Sequence, residues 1–133
     1  MCIRDSHTGV PIEPRGLVAE FEPATRSLTV WMSTQVPHMM QAILAELFGL
    51  AEHRVRVIAP DVGGSFGIKI HVYQDDLAAI ALALTLGRPV KWVPTRRESF
   101  LSDIHAREQT IAIEVGADGN GCLLYTSPSP RDS

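Results

Sequence analysis

A glycine-rich stretch, Asp61–Lys69, carries the residues of this chain that are best suited to binding a ligand. It reads Asp-Val-Gly-Gly-Ser-Phe-Gly-Ile-Lys, with three glycines within five positions, and it separates a predicted strand from a predicted helix. Glycines in such a place allow positive φ angles and close approach of backbone N–H groups, and a helix N-terminus favours negative charge. Phe66 stands between glycines, where an aromatic ring is costly to expose unless it packs on something. The stretch therefore predicts a loop that binds an anionic cofactor beside an aromatic ring.

Two common phosphate-binding motifs are absent from this loop. A P-loop requires GxxxxGK[ST], and Gly67-Ile68-Lys69 does not meet that spacing. A dinucleotide fingerprint requires GxGxxG, which the stretch from Gly63 to Ile68 also lacks. Two interpretations stay open at this point: a specific site of another kind, or a flexible connector between strand and helix.

Periodicity predicts the elements that position the loop. Alternating apolar residues predict a β-hairpin with strands over Gly16–Glu22 and Ser27–Ser33. Apolar residues at helical spacing then predict a helix that begins near Pro37 and ends at Gly49. Thr34 is the expected cap of this helix.

The second half of the chain continues the alternation of strands and helices. The predicted elements are a strand over Arg54–Ala59, a helix from about His71 to Leu86, a strand over Pro89–Val93, a helical turn over Arg96–Leu101 and a strand over Gln109–Val115. Residues Leu77–Leu86 are apolar nearly all round, which predicts a helix buried on most sides. Asp118–Gly121 predicts a hairpin turn whose second strand is missing. The order β-β-α-β-α-β-β indicates an α+β (mixed α and β) fold class and an incomplete piece of a domain.

The two ends of the chain, residues 1–6 and 122–133, are expected to be foreign to the protein. Met1–Ser6 can be encoded by a DNA string whose reverse complement, read in another frame, encodes Cys-Leu-Leu-Tyr-Thr, and Cys122–Ser127 carries that sequence. Reverse-complementary ends are expected when a sequencing adapter flanks an insert, so residues 7–121 are predicted to be the native fragment. The alternative is a genuine disordered tail.

Composition and charge exclude several classes of function. Both cysteines, Cys2 and Cys122, lie in the predicted foreign ends, so the rest offers no disulfide, thiol nucleophile or cysteine zinc site. The net charge of −3 argues against nucleic-acid binding. No apolar run approaches the ~20 residues that span a bilayer. The histidines show no metal-ligand spacing, and Asp75 and Asp76 are interpreted as the acidic first turn of the second helix.

Three stretches of the sequence lie in a characteristic order and spacing. They are Ser33-Thr34-Gln35 with Pro37-His38, then Arg56–Gly67, then Gly87–Trp92. Together they resemble the large subunit of the molybdenum hydroxylases, a family that includes xanthine dehydrogenase, aldehyde oxidase and the carbon monoxide dehydrogenase large chain. The resemblance covers nearly all of residues 9–121 and is nearest to the carbon monoxide dehydrogenase-like branch.

The resemblance implies a cofactor site. Gln35 matches a glutamine that hydrogen-bonds an oxo ligand of molybdenum, and Phe66 matches an aromatic residue beside the active site. The loop matches the one around molybdopterin cytosine dinucleotide, although Ser65 stands where family members usually have a third glycine. The cofactor-binding candidates are therefore Gln35, Gly63, Gly64, Ser65, Phe66 and Gly67, with no catalytic or metal-ligating residue in the fragment. The simpler alternative for Gln35 is a residue that satisfies local backbone groups at a helix start.

The resemblance also implies the activity of a parent enzyme. That enzyme would oxidise a small substrate, such as an aldehyde, carbon monoxide or a heterocycle, with water-derived oxygen, and would pass electrons to iron–sulfur clusters and FAD on partner subunits or domains. A cytoplasmic hetero-oligomer is implied, and the fragment alone would be inactive because the family's general base lies outside it. Ile70 replaces the glutamate of purine-oxidising members, and an alkyl group cannot hydrogen-bond a purine, so purines are disfavoured. Glu13 matches an early acidic position without an assigned role.

Two other functions stay open from the residues alone. One is a non-catalytic anion- or nucleotide-binding module that uses the Gly63–Gly67 loop. The other is an interaction domain without a small ligand, in which the Leu77–Leu86 helix forms part of an interface.

Overall fold

The computed structural model describes residues 9–104 and 115–126. The strand predicted over Gln109–Val115 lies outside these residues except for Val115, and residues 1–6 and most of 122–133 lie outside them as well. The foreign origin of the two ends stays a prediction. Within the described part of the chain, no helix is both long enough and apolar enough to cross a bilayer.

A four-stranded mixed sheet forms the centre of the fold. Its strands are β1 (Leu17–Glu22), β2 (Ser27–Met32), β3 (Val55–Ile58) and β4 (Val90–Trp92), in the order β3-β2-β1-β4. The hairpin of β1 and β2 is antiparallel, as predicted, β3 lies parallel to β2, and β4 lies antiparallel to β1. The α+β class is confirmed. Because β3 runs parallel to β2, the chain must cross over between them, and a helix makes that crossing.

Among the described residues, three α-helices accompany the sheet: α1 (Pro37–Phe48), α2 (Gln74–Leu86) and α3 (Arg96–Ser102). α1 and α2 each end at a glycine in the left-handed region, Gly49 with φ of 62° and Gly87 with φ of 58°. α1 and α2 bury apolar residues against one face of the sheet. The buried core contains Leu17, Ala19, Leu28, Val30, Met32, Met40, Leu44, Ala45, Val55, Ala79, Ile80 and Ala83.

The start of α1 differs from its prediction. Val36 is the N-cap residue and no side chain caps the helix, so the assignment of Thr34 as the cap was wrong. The Thr34 hydroxyl instead donates to the carbonyl oxygen of Lys69 at 2.9 Å and accepts from the Val36 N–H at 3.2 Å. A buried hydroxyl is held by the nearest strong acceptor, which here belongs to the glycine-rich segment.

The second helix also differs from its prediction. α2 begins at Gln74 because the preceding residues form a short 3₁₀ turn, Ile68–Ile70, and then an extended connection. Its apolar residues are not buried all round: Ala79, Ile80 and Ala83 are buried, whereas Leu82 is 52% exposed and Leu86 is 58% exposed. The described part of the chain offers one sheet surface to α2, so only one helix face is covered.

The last hairpin corrects the expectation of a missing strand. β5 (Val115–Ala117) pairs antiparallel with β6 (Leu123–Thr126), around a turn in which the Asp118 carboxylate accepts from the N–H groups of Asn120 and Cys122. Tyr and Thr favour strands whatever the genetic origin of the segment, and strand pairing uses backbone groups that every residue here has.

Candidate functional site

The glycine-rich loop connects the end of β3 to the 3₁₀ turn before α2. Three of its residues have φ angles in the left-handed region: Gly64 at 92°, Phe66 at 51° and Gly67 at 82°. Gly64 and Gly67 satisfy this requirement without a side-chain penalty, whereas Phe66 adopts it at a cost in backbone strain. The Phe66 side chain is 77% exposed, so the loop presents an aromatic ring to its surroundings.

The loop also presents a row of backbone donors. The N–H groups of Gly64, Ser65, Phe66 and Gly67 donate to no group within residues 9–104 or 115–126. Successive N–H groups in a loop of alternating handedness form a concavity that suits an anionic oxygen. The sequence predicted such donors from the glycines, and the structure brings four of them together on consecutive residues.

Gln35 lies against this loop although it precedes Ser65 by 30 positions. The Ser65 hydroxyl donates to Gln35 Oε1 and accepts from the backbone N–H of Lys69 at 3.1 Å. The backbone N–H of Gln35 donates to the Lys69 carbonyl oxygen at 3.3 Å. The predicted site residues Gln35, Gly63, Gly64, Ser65, Phe66 and Gly67 are thus close together in the fold.

A cluster of Glu13, Ser33 and Lys69, called the loop cluster below, holds the base of the loop. Lys69 Nζ donates to Glu13 Oε2 at 2.6 Å and to Ser33 Oγ at 2.7 Å, and the Ser33 hydroxyl donates to Glu13 Oε2 at 2.7 Å. The Gly63 N–H donates to the same Glu13 oxygen at 2.8 Å. A Cβ on Gly63 would lie 2.6 Å from Glu13 Cβ, so this approach requires glycine.

The charges of the loop cluster are balanced. The Lys69 side chain has no exposure, while the Glu13 side chain is 40% exposed. The hydrogen bond from Lys69 lowers the pKa of Glu13 to about 2, against an opposing effect of burial. Glu13 is therefore ionised at neutral pH and compensates the buried ammonium group. Residue spacing predicts no role for Glu13 and marks Lys69 only as the end of the loop, because 56 positions separate the two partners.

A second charged group surrounds Arg15 and is called the arginine cluster below. The guanidinium donates to Asp103 at 2.7 Å, to Asp76 at 2.8 Å and to Asp75 at 2.8 Å. Its carbon lies 3.6 Å from the centre of the Tyr73 ring. The interpretation of Asp75 and Asp76 as an ordinary acidic first turn was therefore incomplete, since both carboxylates bind one buried cation.

The three carboxylates around Arg15 are not equivalent. Burial raises the pKa of Asp76 to about 6 despite its ion pair. Burial opposes ionisation of Asp75 too, but the hydrogen bond from Arg15 lowers its pKa on balance. Burial also acts against the charge of Arg15, yet its hydrogen bonds to the aspartates and their negative charge raise its pKa overall. Asp76 Oδ1 is buried and has no hydrogen-bond partner in the described part of the chain.

Tyr73 links the arginine cluster to the end of the glycine-rich loop. Its ring covers Arg15, and its hydroxyl donates to the carbonyl oxygen of Ile68 at 2.8 Å, at the end of the glycine-rich loop. A cleft of about 620 Å³ lies beside Tyr73, Asp75 and Trp92, away from the loop donors. Its carboxylates are already engaged, Asp75 with Arg15 and Glu98 with the capping box of α3, so the loop is the stronger candidate site.

The described residues contain no group of three or more His, Cys, Asp or Glu side chains arranged to hold a metal ion. The N–H groups from Gly64 to Gly67, which donate to no other described residue, and the Gln35 amide are groups of the kind that hold the oxygen atoms of an anionic cofactor.

Comparison with known proteins gives a consistent result. The family described as the molybdopterin cofactor-binding domain matches residues 4–127. The chain is 38% identical over 114 residues to the carbon monoxide dehydrogenase large chain of Hydrogenophaga pseudoflava, covering 86% of this chain and 14% of that protein. It is 40% identical over 111 residues to the nicotine 6-hydroxylase large subunit of Paenarthrobacter nicotinovorans, covering 84% of this chain and 14% of that protein.

The fold agrees with the sequence comparison. The crystal structure of quinoline 2-oxidoreductase from Pseudomonas putida 86 superposes with a TM-score of 0.73 at 39% identity, over 86% of this chain and 14% of that chain. The chain thus spans about 14% of the length of the relatives it matches. The match extends over most of the chain and includes both the sheet and the glycine-rich loop, and the chain therefore belongs to the molybdopterin cofactor-binding domain family, in the group that includes the large subunits of molybdenum hydroxylases.

Proposed function

We propose that this chain supplies part of the binding site for molybdopterin cytosine dinucleotide in a molybdenum-dependent hydroxylase, with Gln35 and the Gly63–Gly67 loop as the contacting residues. The observation that carries the proposal is the row of four backbone N–H groups beside the Gln35 amide, none of which donates to another group among the described residues. A dinucleotide cofactor carries phosphate oxygens that accept hydrogen bonds, and backbone donors bind such oxygens without adding charge.

Each group in the loop has a distinct part in this proposal. The N–H groups from Gly64 to Gly67 bind anionic oxygens, and the Gln35 amide nitrogen donates to an oxygen on the metal end of the cofactor. Phe66, exposed on the loop, supplies an apolar surface and excludes water from one side. The bound cofactor supplies the two-electron redox chemistry, which none of these side chains can perform.

The substrate of the parent enzyme is proposed to be a small molecule such as an aldehyde, carbon monoxide or a non-purine heterocycle, oxidised with water-derived oxygen. Ile70 lies half-buried directly after Lys69, and its alkyl side chain offers no hydrogen bond to a purine. Electrons would pass to iron–sulfur and flavin groups on partner subunits, in a cytoplasmic hetero-oligomer. The relatives named as large subunits support an assembly of this kind.

The proposal can be tested by grafting. Residues 9–104 replace the matching segment of the Hydrogenophaga carbon monoxide dehydrogenase large chain, and molybdenum and released cytidine monophosphate are measured per purified large chain. We expect the graft to retain both, and Gly67→Leu to lose both, because the new side chain would stand in front of the loop donors. Gly67 has φ of 82° and no atom within 4 Å of its Cβ position.

Gly49→Leu is the matched control. Gly49 also has a positive φ, 62°, and open space at its Cβ position, but it lies at the end of α1 away from the loop. Both substitutions place a residue with a Cβ at a positive φ angle, so they introduce the same kind of backbone strain. Equal loss of cofactor in the two variants would contradict the proposal. Binding of pyrophosphate by the chain, together with a folded graft that contains no molybdenum, would favour a non-catalytic anion-binding module instead.

A further inference from the structure

We propose that Ser65 is a positioning residue that orients the side-chain amide of Gln35, with its oxygen toward the loop and its nitrogen outward. The contact between the outward nitrogen and a cofactor rests on the proposed function, whereas the orientation of the amide does not. Ser65 is also the residue at which this chain departs from the three-glycine pattern of the family.

The backbone on both sides of the contact is fixed. The Lys69 carbonyl oxygen accepts from the Gln35 N–H at 3.3 Å and from the buried Thr34 hydroxyl at 2.9 Å. The Ile68 N–H donates to the Ser65 carbonyl oxygen at 3.0 Å, which closes the turn. Only the side-chain torsions of Gln35 and Ser65 are then left to define the contact.

The direction of the hydrogen bonds follows from the donors that cannot change. The Lys69 N–H donates to Ser65 Oγ at 3.1 Å, so one acceptor site of the hydroxyl is occupied. The hydroxyl has a single hydrogen, and it points to Gln35 Oε1. If the amide were reversed, Ser65 Oγ would accept twice, and both the hydroxyl hydrogen and the Gln35 oxygen would have to rely on water.

The outward nitrogen is left with its donors available. Gln35 is exposed, and its Nε2 donates to no group in the part of the chain that the structure describes. Together with the loop N–H groups it provides a set of hydrogen-bond donors, which favours a ligand that carries oxygen acceptors. A glycine at position 65 would leave the Gln35 amide free to rotate, and ordering it on binding would cost entropy.

The test is nuclear magnetic resonance on the ¹⁵N-labelled 133-residue chain and its Ser65→Ala and Ser65→Thr variants. Two glutamines in the same molecule serve as references. Gln41 is anchored through Nε2 to the Val55 carbonyl oxygen at 2.9 Å, and Gln74 is exposed with no side-chain partner among the described residues. Heteronuclear NOEs report the order of each side-chain amide, and exchange with water reports whether its hydrogens are bonded.

We expect Gln35 to be as ordered as Gln41 while its amide hydrogens exchange as fast as those of Gln74. Ser65→Ala should reduce the order to that of Gln74, and Ser65→Thr, which keeps the hydroxyl, should preserve it. Ser27→Ala, at a serine without a side-chain hydrogen bond among the described residues, should change nothing.

Three results would overturn the inference: a Gln35 amide as mobile as Gln74, protected Gln35 amide hydrogens, or unchanged order in Ser65→Ala. None of these measurements needs a cofactor. A graft that fails to load molybdenum would refute the proposed function and leave the Ser65 result standing, and a mobile Gln35 would refute the orientation and leave the proposed function standing.

Discussion

The loop cluster and the arginine cluster each hold a buried cation, but they compensate its charge in opposite ways. The loop cluster pairs one buried cation, Lys69, with one partly exposed carboxylate, Glu13, and its charges cancel. The arginine cluster surrounds one buried cation with three carboxylates, two of them almost fully buried. A balanced ion pair with a partly hydrated carboxylate has a small desolvation cost. A buried excess of negative charge is stable only while the central cation remains.

The pKa values express this difference. The hydrogen bond from Lys69 lowers the pKa of Glu13 to about 2, whereas burial raises the pKa of Asp76 to about 6. For Glu13 the stabilising contribution is present above its ordinary pKa and is lost as the pH falls toward 2. For Asp76 the pH dependence of stability has the opposite sign, because the folded state binds its proton more tightly than the unfolded state does.

Removing the central cation of the arginine cluster should have the largest effect. Arg15→Met leaves Asp76 and Asp103 buried without a counter-charge, and we expect the free energy of unfolding to fall by about 3–5 kcal/mol. Urea denaturation followed by circular dichroism measures this. Arg88→Met, at an exposed arginine, is the control and should change stability by less than about 0.5 kcal/mol. Similar losses in both variants would contradict the structural role of Arg15.

Removing the cation of the loop cluster should have a smaller effect. Lys69→Met leaves Glu13, which is 40% exposed and can be hydrated, so we expect a loss of about 1–3 kcal/mol. Hydrogen exchange should accelerate at the Gly63 N–H, which donates to Glu13, more than in the β1–β2 hairpin. Lys91→Met, on an exposed side chain of β4, is the control. A loss equal to that of Arg15→Met would remove the distinction between the clusters.

Neutralising Asp76 should have the smallest effect on stability at neutral pH. Its effect on the pH dependence of stability should distinguish the arginine cluster from the loop cluster. The stabilising effect of its proton is complete below the ordinary pKa of 3.8 and is lost as the pH rises toward 6. Asp76→Asn should therefore flatten this part of the stability curve and be no less stable than the parent chain at pH 7. Denaturation between pH 4 and pH 7 measures the slope, with exposed Asp61→Asn as the control. An unchanged slope in Asp76→Asn would show that its proton is not linked to folding.

Local patterns were enough to predict much of the fold. Loose alternation in β1, clean alternation in β2 and helical spacing in α1 predicted the correct element types, and glycines marked both helix ends. The predictions failed where a side chain has both a local and a distant possible partner in the fold. Thr34 has a suitable side chain for a cap, but the Lys69 carbonyl oxygen is its partner. The apolar surface of α2 similarly exceeded the surface available to cover it.

A glycine-rich loop with positive φ angles between a strand and a helix could be predicted from the residue types alone, because only glycine adopts those angles freely. Its resemblance to a known family added Gln35 as a member of the site. Packing of the folded chain was needed to show that Ser65 bonds to Gln35, that Glu13 pairs with Lys69 below the loop, and that three aspartates surround Arg15. These partners are separated by 30 to 88 positions, and residue spacing carries no information about contacts that arise when strands and helices pack.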